Sequence, residues 1–298
     1  MDKLRAMAAF VEIVDRGSLT AAAEALERSQ PTMVRTLATL ERSLGVVLLR
    51  RTTRRMSLTE EGRVYLEQCR RILSAVQEAE ELVGHDEGEP RGVVRVTAPV
   101  LFGQMHVMPL LVGFLRRYPE VKVELVLLDR VVDLVEEGFD VALRIGDLGD
   151  SSMIAIGVGD MRRVVCASPS LLAEAGDPGR PEELEGRACI SFRGLGGGTW
   201  RFSRGKREFT VRVDGGFATN QISAALAACE AGLGFGYFLA YQVAPAIREG
   251  RLRVILREFE RPALSVSLLY RDARLASRRL RALLDWLGPR LRQRIASL

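Results

Sequence analysis

The sequence predicts an α/β protein in which a helix-rich segment precedes a larger region of alternating strands and helices. Residues 1–58 hold short helical patterns that follow each other closely, and residues 59–84 hold one unbroken helical pattern. From residue 93 to the C-terminus, short apolar runs alternate with amphipathic helical stretches, which is typical of a parallel sheet covered by helices. The chain therefore has an N-terminal domain, a linker helix and a C-terminal α/β domain.

Composition excludes several classes of protein. With 298 residues, 47% hydrophobic and 27% charged, the chain can bury more than one core without covalent cross-links. Four isolated cysteines and two histidines argue against a zinc site or a disulfide framework, and we expect no cofactor. No apolar run approaches the roughly 18 residues of a membrane span. We expect a cytoplasmic protein without a membrane partner.

The first 45 residues predict three helices. The first ends at Gly17, Ser18 caps the second, and Ser29 caps the third, with Pro31 in its first turn, where a missing N–H costs nothing. Gly45 ends the third helix. Helical spacing predicts the buried positions of the first and third helices: Leu4, Met7, Ala8, Val11 and Val14, then Met33, Leu37, Leu40 and Leu44.

The second and third helices are separated only by a short turn, which is typical of a helix-turn-helix whose second helix enters the DNA major groove. The polar start of that helix would face bases: Ser29, Gln30, Pro31, Thr32, Val34, Arg35 and Thr36, with Ser18 at the preceding helix. Gln30 can pair with adenine, Arg35 with guanine or a phosphate, and Val34 can meet a thymine methyl group. The alternative is an ordinary helical hairpin with a solvated face.

The next segment, VVLLRRTTRRMSLT, predicts two strands joined by a turn. Its tip concentrates guanidinium and hydroxyl groups: Arg50, Arg51, Thr52, Thr53, Arg54 and Arg55. Crowding four guanidiniums is costly unless they meet an anion such as a phosphate backbone. The segment therefore favours double-stranded DNA as the partner, and residues 1–58 as a winged domain.

Residues 59–84 predict a long helix that begins after Thr59. Apolar residues recur at alternating spacings of three and four, interrupted by Glu80, which is typical of a pairing helix: Leu66, Cys69, Leu73, Val76 and Val83. A homo-oligomer held by this helix would place two recognition helices about one DNA turn apart. The alternative is a helix lying on its own domain. Residues 85–92, rich in Gly, Pro and charge, predict a hinge.

Residues 93–298 predict two α/β lobes. VVRVTAP, VKVELVLLD and DVALRIG predict strands of the first lobe, with VMPLLVGFLRRY and VVDLVEEG as helices between them. LSVSLLY and a helix over 276–294 return to that lobe. We assign about 93–163 and 268–298 to lobe I and about 164–267 to lobe II. A ligand is expected in the cleft, at the carboxyl ends of the strands.

The motifs also carry a family resemblance. FVEIVDRGSLTAAAEALERSQPTMVRTLATLERSLGVVLLRRTTRRMSLTEEG resembles the winged helix-turn-helix of LysR-type transcriptional regulators. Two positions depart from the family pattern: Val34 replaces a serine and Leu49 a phenylalanine. The first change removes a hydroxyl that, by resemblance, would face DNA. Downstream, RGVVRVTAP, DLVEEGFDVALRIGDLGDSSM and AALAACEAGLGFGYF are similar to the effector domain of that family.

The resemblance implies a fold like that of periplasmic binding proteins, with a small-molecule effector between the lobes and a dimer of dimers on promoter DNA. By position, these residues would surround the effector: Thr97, Ala98, Pro99, Val100, Leu101, Arg144, Phe192, Trp200, Asn220 and Gln221. The Thr97 hydroxyl and nearby N–H groups can hold an anion. A guanidinium and an aromatic face, Arg144 and Trp200, suit a carboxylated small molecule. For Arg144 the alternative is a structural ion pair.

Other functions have weaker sequence support. The chain has no phosphate-binding P-loop, no GxSxG motif and no HExxH motif, and only His106 is a plausible catalytic base near the cleft. A cleft-based enzyme or simple binding protein is thus disfavoured. A redox-responsive regulator acting through Cys189 and Cys229 is a further alternative, as is a structural DNA-associated protein without an effector.

Overall fold

The computed structural model describes residues 2–51, 56–83, 88–146, 153–192, 198–271 and 277–298, without the side chains of 51, 77, 78 and 81–83. The chain divides into two compact units, Met1–Glu87 and Gly88–Leu298. No helix in these ranges is long and apolar enough to cross a membrane.

The N-terminal unit is a helical domain with a two-stranded wing. Its elements are α1 (Lys3–Arg16), α2 (Leu19–Ala25), α3 (Gln30–Leu44), β1 (Leu49–Arg51), β2 (Met56–Leu58) and α4 (Glu60–Val83). Ser18 and Ser29 accept hydrogen bonds at the starts of α2 and α3, and Gly17 and Gly45 adopt positive φ at the ends of α1 and α3. The core lies between α1, α2 and α3, around Phe10.

The buried faces of α1 and α3 differ in part from those predicted. In α1 the buried residues are Ala6, Ala9, Phe10 and Ile13. The predicted Leu4 is 41% exposed, and the predicted Met7, Ala8, Val11 and Val14 are only half-buried. The apolar surface of α1 is wider than one stripe, and packing against α2, α3 and α4 selects the face that carries the large Phe10 ring. In α3, Leu44 is exposed in the last turn, one turn beyond the buried Leu40.

The start of α4 belongs to the core of the same unit. Leu66 and Cys69 are buried in the cluster around Phe10, and the rings of Phe10 and Tyr65 lie 5.9 Å apart. A Cβ on Gly62 would lie 2.1 Å from the Leu48 carbonyl oxygen, so the helix starts in close contact with the wing. The prediction that Leu66 and Cys69 pair with another chain is therefore wrong, because they are already covered.

The second unit contains the remaining elements in chain order: β3 (Gly92–Ala98), α5 (Val100–Phe102), α6 (Met108–Arg117), β4 (Val121–Leu127), β5 (Val141–Ile145), β6 (Ile154–Met161), β7 (Arg163–Ala167), α7 (Pro169–Ala175), β8 (Ala188–Phe192), β9 (Thr199–Arg204), β10 (Arg207–Arg212), β11 (Asp214–Thr219), α8 (Ile222–Glu230), β12 (Gly236–Leu239), α9 (Ala240–Arg248), β13 (Arg253–Ile255), β14 (Leu264–Tyr270) and α10 (Arg278–Ala296). A π-helical turn, Gly103–Val107, joins α5 to α6.

Lobe I is a five-stranded sheet in the order β4-β3-β5-β14-β6. β3 is parallel to β4 and β5, whereas β14 is antiparallel to β5 and β6. α6 and α10 contribute to the main core with β3 and β14. The parallel strands end at one edge of the sheet, and that edge positions the candidate effector residues of this lobe.

Lobe II is built on β12-β7-β13, with β8 and β11 parallel to each other. A parallel bridge between Cys189 and Phe235 places β8 beside the start of β12. The β9–β10 hairpin contributes to the core on one side of this sheet, and α8 and α9 to the core on the other. The chain enters lobe II between β6 and β7 and leaves it between β13 and β14; we call these two connections the crossovers.

Two predictions for this unit are corrected. β14 begins at Leu264, so the return to lobe I comes before the predicted position 268. The segment VVDLVEEG forms turns instead of a helix, because the Asp133 carboxylate accepts from the N–H groups of Val135 and Glu136 and thus competes with helical hydrogen bonds. The helix predicted over 276–294 is observed as α10.

Candidate nucleic-acid interface and effector site

The start of α3 presents a polar surface. Ser29 Oγ accepts from the Thr32 N–H at 3.4 Å and lies 2.7 Å from Thr32 Oγ1. Burial of Met33, Leu37 and Leu40 leaves Gln30, Pro31 and Arg35 exposed, and Thr32, Val34 and Thr36 half-buried. Ser18 is half-buried and accepts from the Ala21 N–H at 3.4 Å. Both serines therefore organise helix starts.

The wing is fixed to α3 by hydrogen bonds. Glu41 Oε1 accepts from the N–H groups of Leu48 and Leu49 at 2.8 and 3.2 Å, and the Thr59 hydroxyl lies 2.7 Å from the Val47 carbonyl oxygen, to which it donates. β1 and β2 pair antiparallel, and Arg50 is exposed. Thr52, Thr53, Arg54, Arg55 and the Arg51 side chain lie outside the described residues. A polar helix start and a strand carrying an exposed guanidinium thus belong to the same unit.

In lobe I, Thr97 and Arg144 share one face of the sheet. Thr97 pairs with Ala142, and Arg144 lies two residues further along β5. Thr97 Oγ1 and Arg144 Nη2 are buried without a hydrogen-bond partner among the described residues. Burial lowers the pKa of Arg144, and its acidic neighbour Glu137 is bound by Arg130. No ion pair within the described ranges occupies Arg144.

The start of α5 was predicted to hold an anion from a ligand, but a carboxylate of the chain already lies there. The Val100 N–H donates to Asp129 Oδ1 at 3.0 Å, so a carboxylate of the chain itself already uses this helix start. Ala98 is fully buried, whereas Pro99 and Leu101 are half-buried. Asp129 was not among the predicted site residues. Its position directly after the apolar run that forms β4 was the available signal.

Lobe II brings three of the predicted residues to one edge. Phe192, at the end of β8, pairs with Thr219 at the end of β11, and Asn220 and Gln221 follow directly and are exposed. Trp200 is different: it is 5% exposed, and its ring stacks on Tyr237 with centroids 5.2 Å apart.

The predicted pair of Arg144 with an open Trp200 face is therefore wrong. The guanidinium over this aromatic pair is that of Arg163, 5.3 Å from the centroid of the Tyr237 ring. Both Arg163 and Tyr237 were missed, since no local pattern indicates which of many arginines packs on a distant strand. Among the described residues, Arg144, Arg163 and Arg261 each have a buried guanidinium nitrogen without a hydrogen-bond partner.

An aromatic cluster joins the lobes. Tyr241, at the start of α9, lies 5.1 Å from Phe102 and 5.4 Å from His106, measured between ring centroids. His106 Nδ1 accepts from Arg294 Nε at 3.2 Å, while its Nε2 is buried without a partner among the described residues. Burial, and then the Arg294 charge, lower the pKa of His106 to about 4. A neutral imidazole held by an arginine, without a carboxylate partner, does not resemble a general base in a catalytic set.

His106 is expected to make this unit less stable in acid. Its pKa is about 4 in the folded protein and about 6.5 when unfolded, so the unfolded state binds the proton first as the pH falls. We expect a loss of about 2 kcal/mol between neutral pH and pH 5. Urea unfolding of the wild type and His106→Leu at both pH values measures it. An equal loss in both proteins would contradict this assignment.

The cysteines do not form a reactive pair. All four are buried, and Cys189 and Cys229 donate to the carbonyl oxygens of Leu184 and Cys166. Burial raises the pKa of both thiols to about 12, which disfavours the reactive thiolate. This argues against the redox alternative. Among the described residues, no three His, Cys, Asp or Glu side chains are grouped to hold a metal.

Models of known protein families match both units of the chain. Residues 4–63 match the model of the bacterial regulatory helix-turn-helix protein, lysR family, and residues 87–292 match the LysR substrate binding domain. An HTH-type transcriptional repressor of Pseudomonas aeruginosa is 35% identical over 96% of this chain and 91% of its own. The transcriptional activator AaeR of Escherichia coli is 32% identical over 91% of this chain and 88% of its own.

Solved structures resemble the whole chain. CrgA, a LysR-type transcriptional regulator from Neisseria meningitidis, is 32% identical, with a TM-score of 0.61 over 96% of this chain and 98% of its own. The Vibrio cholerae virulence activator AphB, at 24% identity, shares the fold with a TM-score of 0.62 over 95% of this chain and 98% of its own. The chain belongs to the LysR family of transcriptional regulators: it is a DNA-binding regulator with an effector-binding domain.

Proposed function

We propose that this regulator reads a promoter site in the cytoplasm through the exposed start of α3, as a homo-oligomer that responds to a small carboxylate. The observation that carries the DNA-reading role is the division of α3 into two faces. Met33, Leu37 and Leu40 are buried, whereas Gln30 and Arg35 are exposed near the start of the helix. The N-terminal residues of a recognition helix are those that reach base edges in the major groove.

Residue roles follow from side-chain chemistry. Gln30 pairs with adenine, Arg35 with guanine, and the half-buried Val34 presents a methyl group to thymine. Pro31, Thr32 and Thr36 complete the helix surface. The exposed Arg50, together with Arg51, Thr52, Thr53, Arg54 and Arg55 of the wing, contacts phosphates. Ser18 and Ser29 act by holding the helix starts in place, since their hydroxyls cap α2 and α3.

For the effector, the unpartnered Arg144 Nη2 and Thr97 hydroxyl support a carboxylate at the lobe I edge. Asp129 occupies the start of α5, so the carboxylate binds toward Arg144 instead of at the Val100 N–H. Phe192, Asn220 and Gln221 form the facing contacts from lobe II. Binding controls transcription only if the effector prefers one arrangement of the oligomer on DNA, because equal affinity for two arrangements shifts nothing.

Oligomerisation is assigned to the part of α4 beyond Cys69. Leu73 and Val76 are half-buried and Ile72 is 40% exposed, so this stretch has apolar surface for a partner helix. Val83 belongs to the same predicted seam, although its side chain lies outside the described residues. Two dimers joined through their second units would give the dimer of dimers that the family resemblance implies, with one recognition helix for each half-site.

Arg35→Ala is expected to weaken binding to the cognate site by about 1–3 kcal/mol while changing random-DNA binding less, because the lost contact reads a base. Arg50→Ala is expected to weaken both duplexes alike and to flatten the salt dependence, because the lost contact is to a phosphate. Fluorescence anisotropy on cognate and random duplexes across a salt series measures both effects.

Arg42→Ala is the matched control on the same helix. Arg42 lies in the last turn of α3, where its guanidinium donates to the Ala38 carbonyl oxygen and to Thr39. We expect its binding to both duplexes to stay near the wild-type value. Equal losses on cognate and random DNA for Arg35→Ala and Arg50→Ala would contradict the division of roles.

A further inference from the structure

Positive charge collects where the chain crosses between the lobes of the second unit. Arg163 begins β7 just after the first crossover, and Glu260 and Arg261 lie in the second. Arg201 of β9 and Tyr237 of β12 lie beside them, and we call these five residues the crossover cluster. We propose that the crossover cluster is an anion site, separate from the effector site at Arg144, that binds a small molecule through a carboxylate or phosphate group.

The contacts of the crossover cluster, within the described residues, do not use all of its guanidinium N–H groups. The Arg163 guanidinium lies over the Tyr237 ring, and the Tyr237 hydroxyl donates to the Arg201 carbonyl oxygen at 2.6 Å. Arg261 Nη2 lies 2.8 Å from Glu208, and Arg162 of the first crossover lies 3.1 Å from Glu260. Among the described residues, no ion pair is formed by Arg163 or Arg201. Both carboxylates are thus already paired, and two guanidinium charges remain.

Three polar atoms of the crossover cluster are buried and lack a hydrogen-bond partner in the described parts of the chain: Arg163 Nε, Arg261 Nε and Glu260 Oε1. Leaving a charged group desolvated and unpaired is unfavourable, so such groups mark a place for a missing partner. Burial lowers the pKa of Arg163; among its neighbours Tyr237 raises this pKa, whereas Arg261 and Arg201 lower it. An oxyanion supplies the acceptor that Arg163 Nε and Arg261 Nε lack, together with negative charge; the Glu260 oxygen lacks a donor, which an oxyanion does not supply.

The aromatic residues at the crossover cluster offer no surface for stacking, so the ligand is recognised only through its anionic group. Trp200 stacks on Tyr237, and Arg163 covers the Tyr237 ring as well, so the pair offers no open face for stacking a ligand ring. Recognition therefore depends on the guanidinium forks, which match the geometry of carboxylate and phosphate. Because Arg163 directly follows the first crossover and Arg261 lies in the second, one oxyanion would hold the two connecting segments together. This inference goes beyond the effector role of Arg144 and does not depend on it.

Thermal unfolding of the full-length protein tests the proposal, with inorganic phosphate and acetate as separate probes and chloride holding the ionic strength constant. We expect at least one probe to raise the wild-type Tm at millimolar concentration, and the probe that does so identifies phosphate or carboxylate as the preferred group. Because the proposed effector site at Arg144 would also bind an oxyanion, the comparison is made in an Arg144→Gln background, where Arg163→Met should abolish the rise that remains. The same substitution should change the Tm without the probe little, because the lost contact with the Tyr237 ring is offset by removal of a partly buried charge that forms no ion pair among the described residues.

Two further variants locate the anion. Arg201→Gln, at an exposed position, should raise the apparent Kd about tenfold, and Arg180→Met, at an exposed arginine elsewhere in lobe II, should leave it unchanged. The proposal is overturned if neither probe shifts the Tm of Arg144→Gln, or if Arg163→Met in that background keeps the shift. A shift lost in Arg144→Gln but kept in Arg163→Met would also overturn it, while placing the anion at the proposed effector site.

Discussion

Phe10→Ala is expected to lower the free energy of unfolding of the N-terminal unit by about 3–5 kcal/mol. Phe10 is 1% exposed at the centre of the cluster that α1 shares with α3 and α4, and its ring packs near Tyr65. Removing the ring leaves a cavity that the surrounding helices can only partly close. Because α3 rests on this cluster, DNA binding should fall together with stability. Calorimetry on the full-length protein measures the loss as a lower transition temperature for this unit.

Leu4→Ala is the matched control, since Leu4 lies on the same helix but is 41% exposed. Its expected cost is within about 0.5 kcal/mol, as for surface substitutions generally. The transition of the second unit should be unchanged in both variants. Equal costs for Phe10→Ala and Leu4→Ala would contradict the assignment of the buried face of α1.

Tyr241→Ala is expected to destabilise the second unit by about 3–5 kcal/mol. Tyr241 is 1% exposed and belongs to α9 of lobe II, yet its ring packs on Phe102 and His106 of lobe I. The substitution therefore removes both a large buried side chain and a contact that joins the lobes. Urea unfolding followed by Trp200 and Trp286 fluorescence measures the change, because one tryptophan lies in each lobe.

Tyr241→Phe distinguishes the contribution of the ring to stability from that of the hydroxyl. The hydroxyl accepts from Gln242 Nε2 at 3.3 Å, so its loss should cost only about 1 kcal/mol. If Tyr241→Phe were as unstable as Tyr241→Ala, the stabilisation would come from the hydroxyl, and the aromatic contact between the lobes would not be the important one.

Local features of the fold were predictable because they depend on neighbouring residues. Ser18 and Ser29 were identified as caps because a side-chain oxygen followed by a helical pattern satisfies early N–H groups, wherever the helix later packs. The buried face of α1 was not predictable in the same way. Its apolar residues cover more than one stripe, and the choice of Phe10 over Leu4 is made by α3 and α4, which lie far away in sequence.

The candidate effector site, too, was only partly predictable from the sequence. Thr97, Arg144 and Phe192 lie near the carboxyl ends of their strands, as expected for residues around a cleft. The aromatic partner of an arginine is a tertiary choice. Trp200 was expected to offer its face to a ligand beside Arg144, but the ring stacks on Tyr237, beside Arg163 of another strand. The spacing of Leu66 and Cys69 likewise fitted pairing between chains and packing within one unit equally well.

The most direct test of the central claim is the binding of the purified wild-type protein to the DNA upstream of its own gene and to a scrambled duplex, measured by fluorescence anisotropy across a salt series. A sequence-specific regulator whose α3 reads bases and whose wing contacts phosphates should prefer the upstream DNA, and its affinity should fall steeply as salt rises. Equal binding to the two duplexes, or no binding at low salt, would contradict the account.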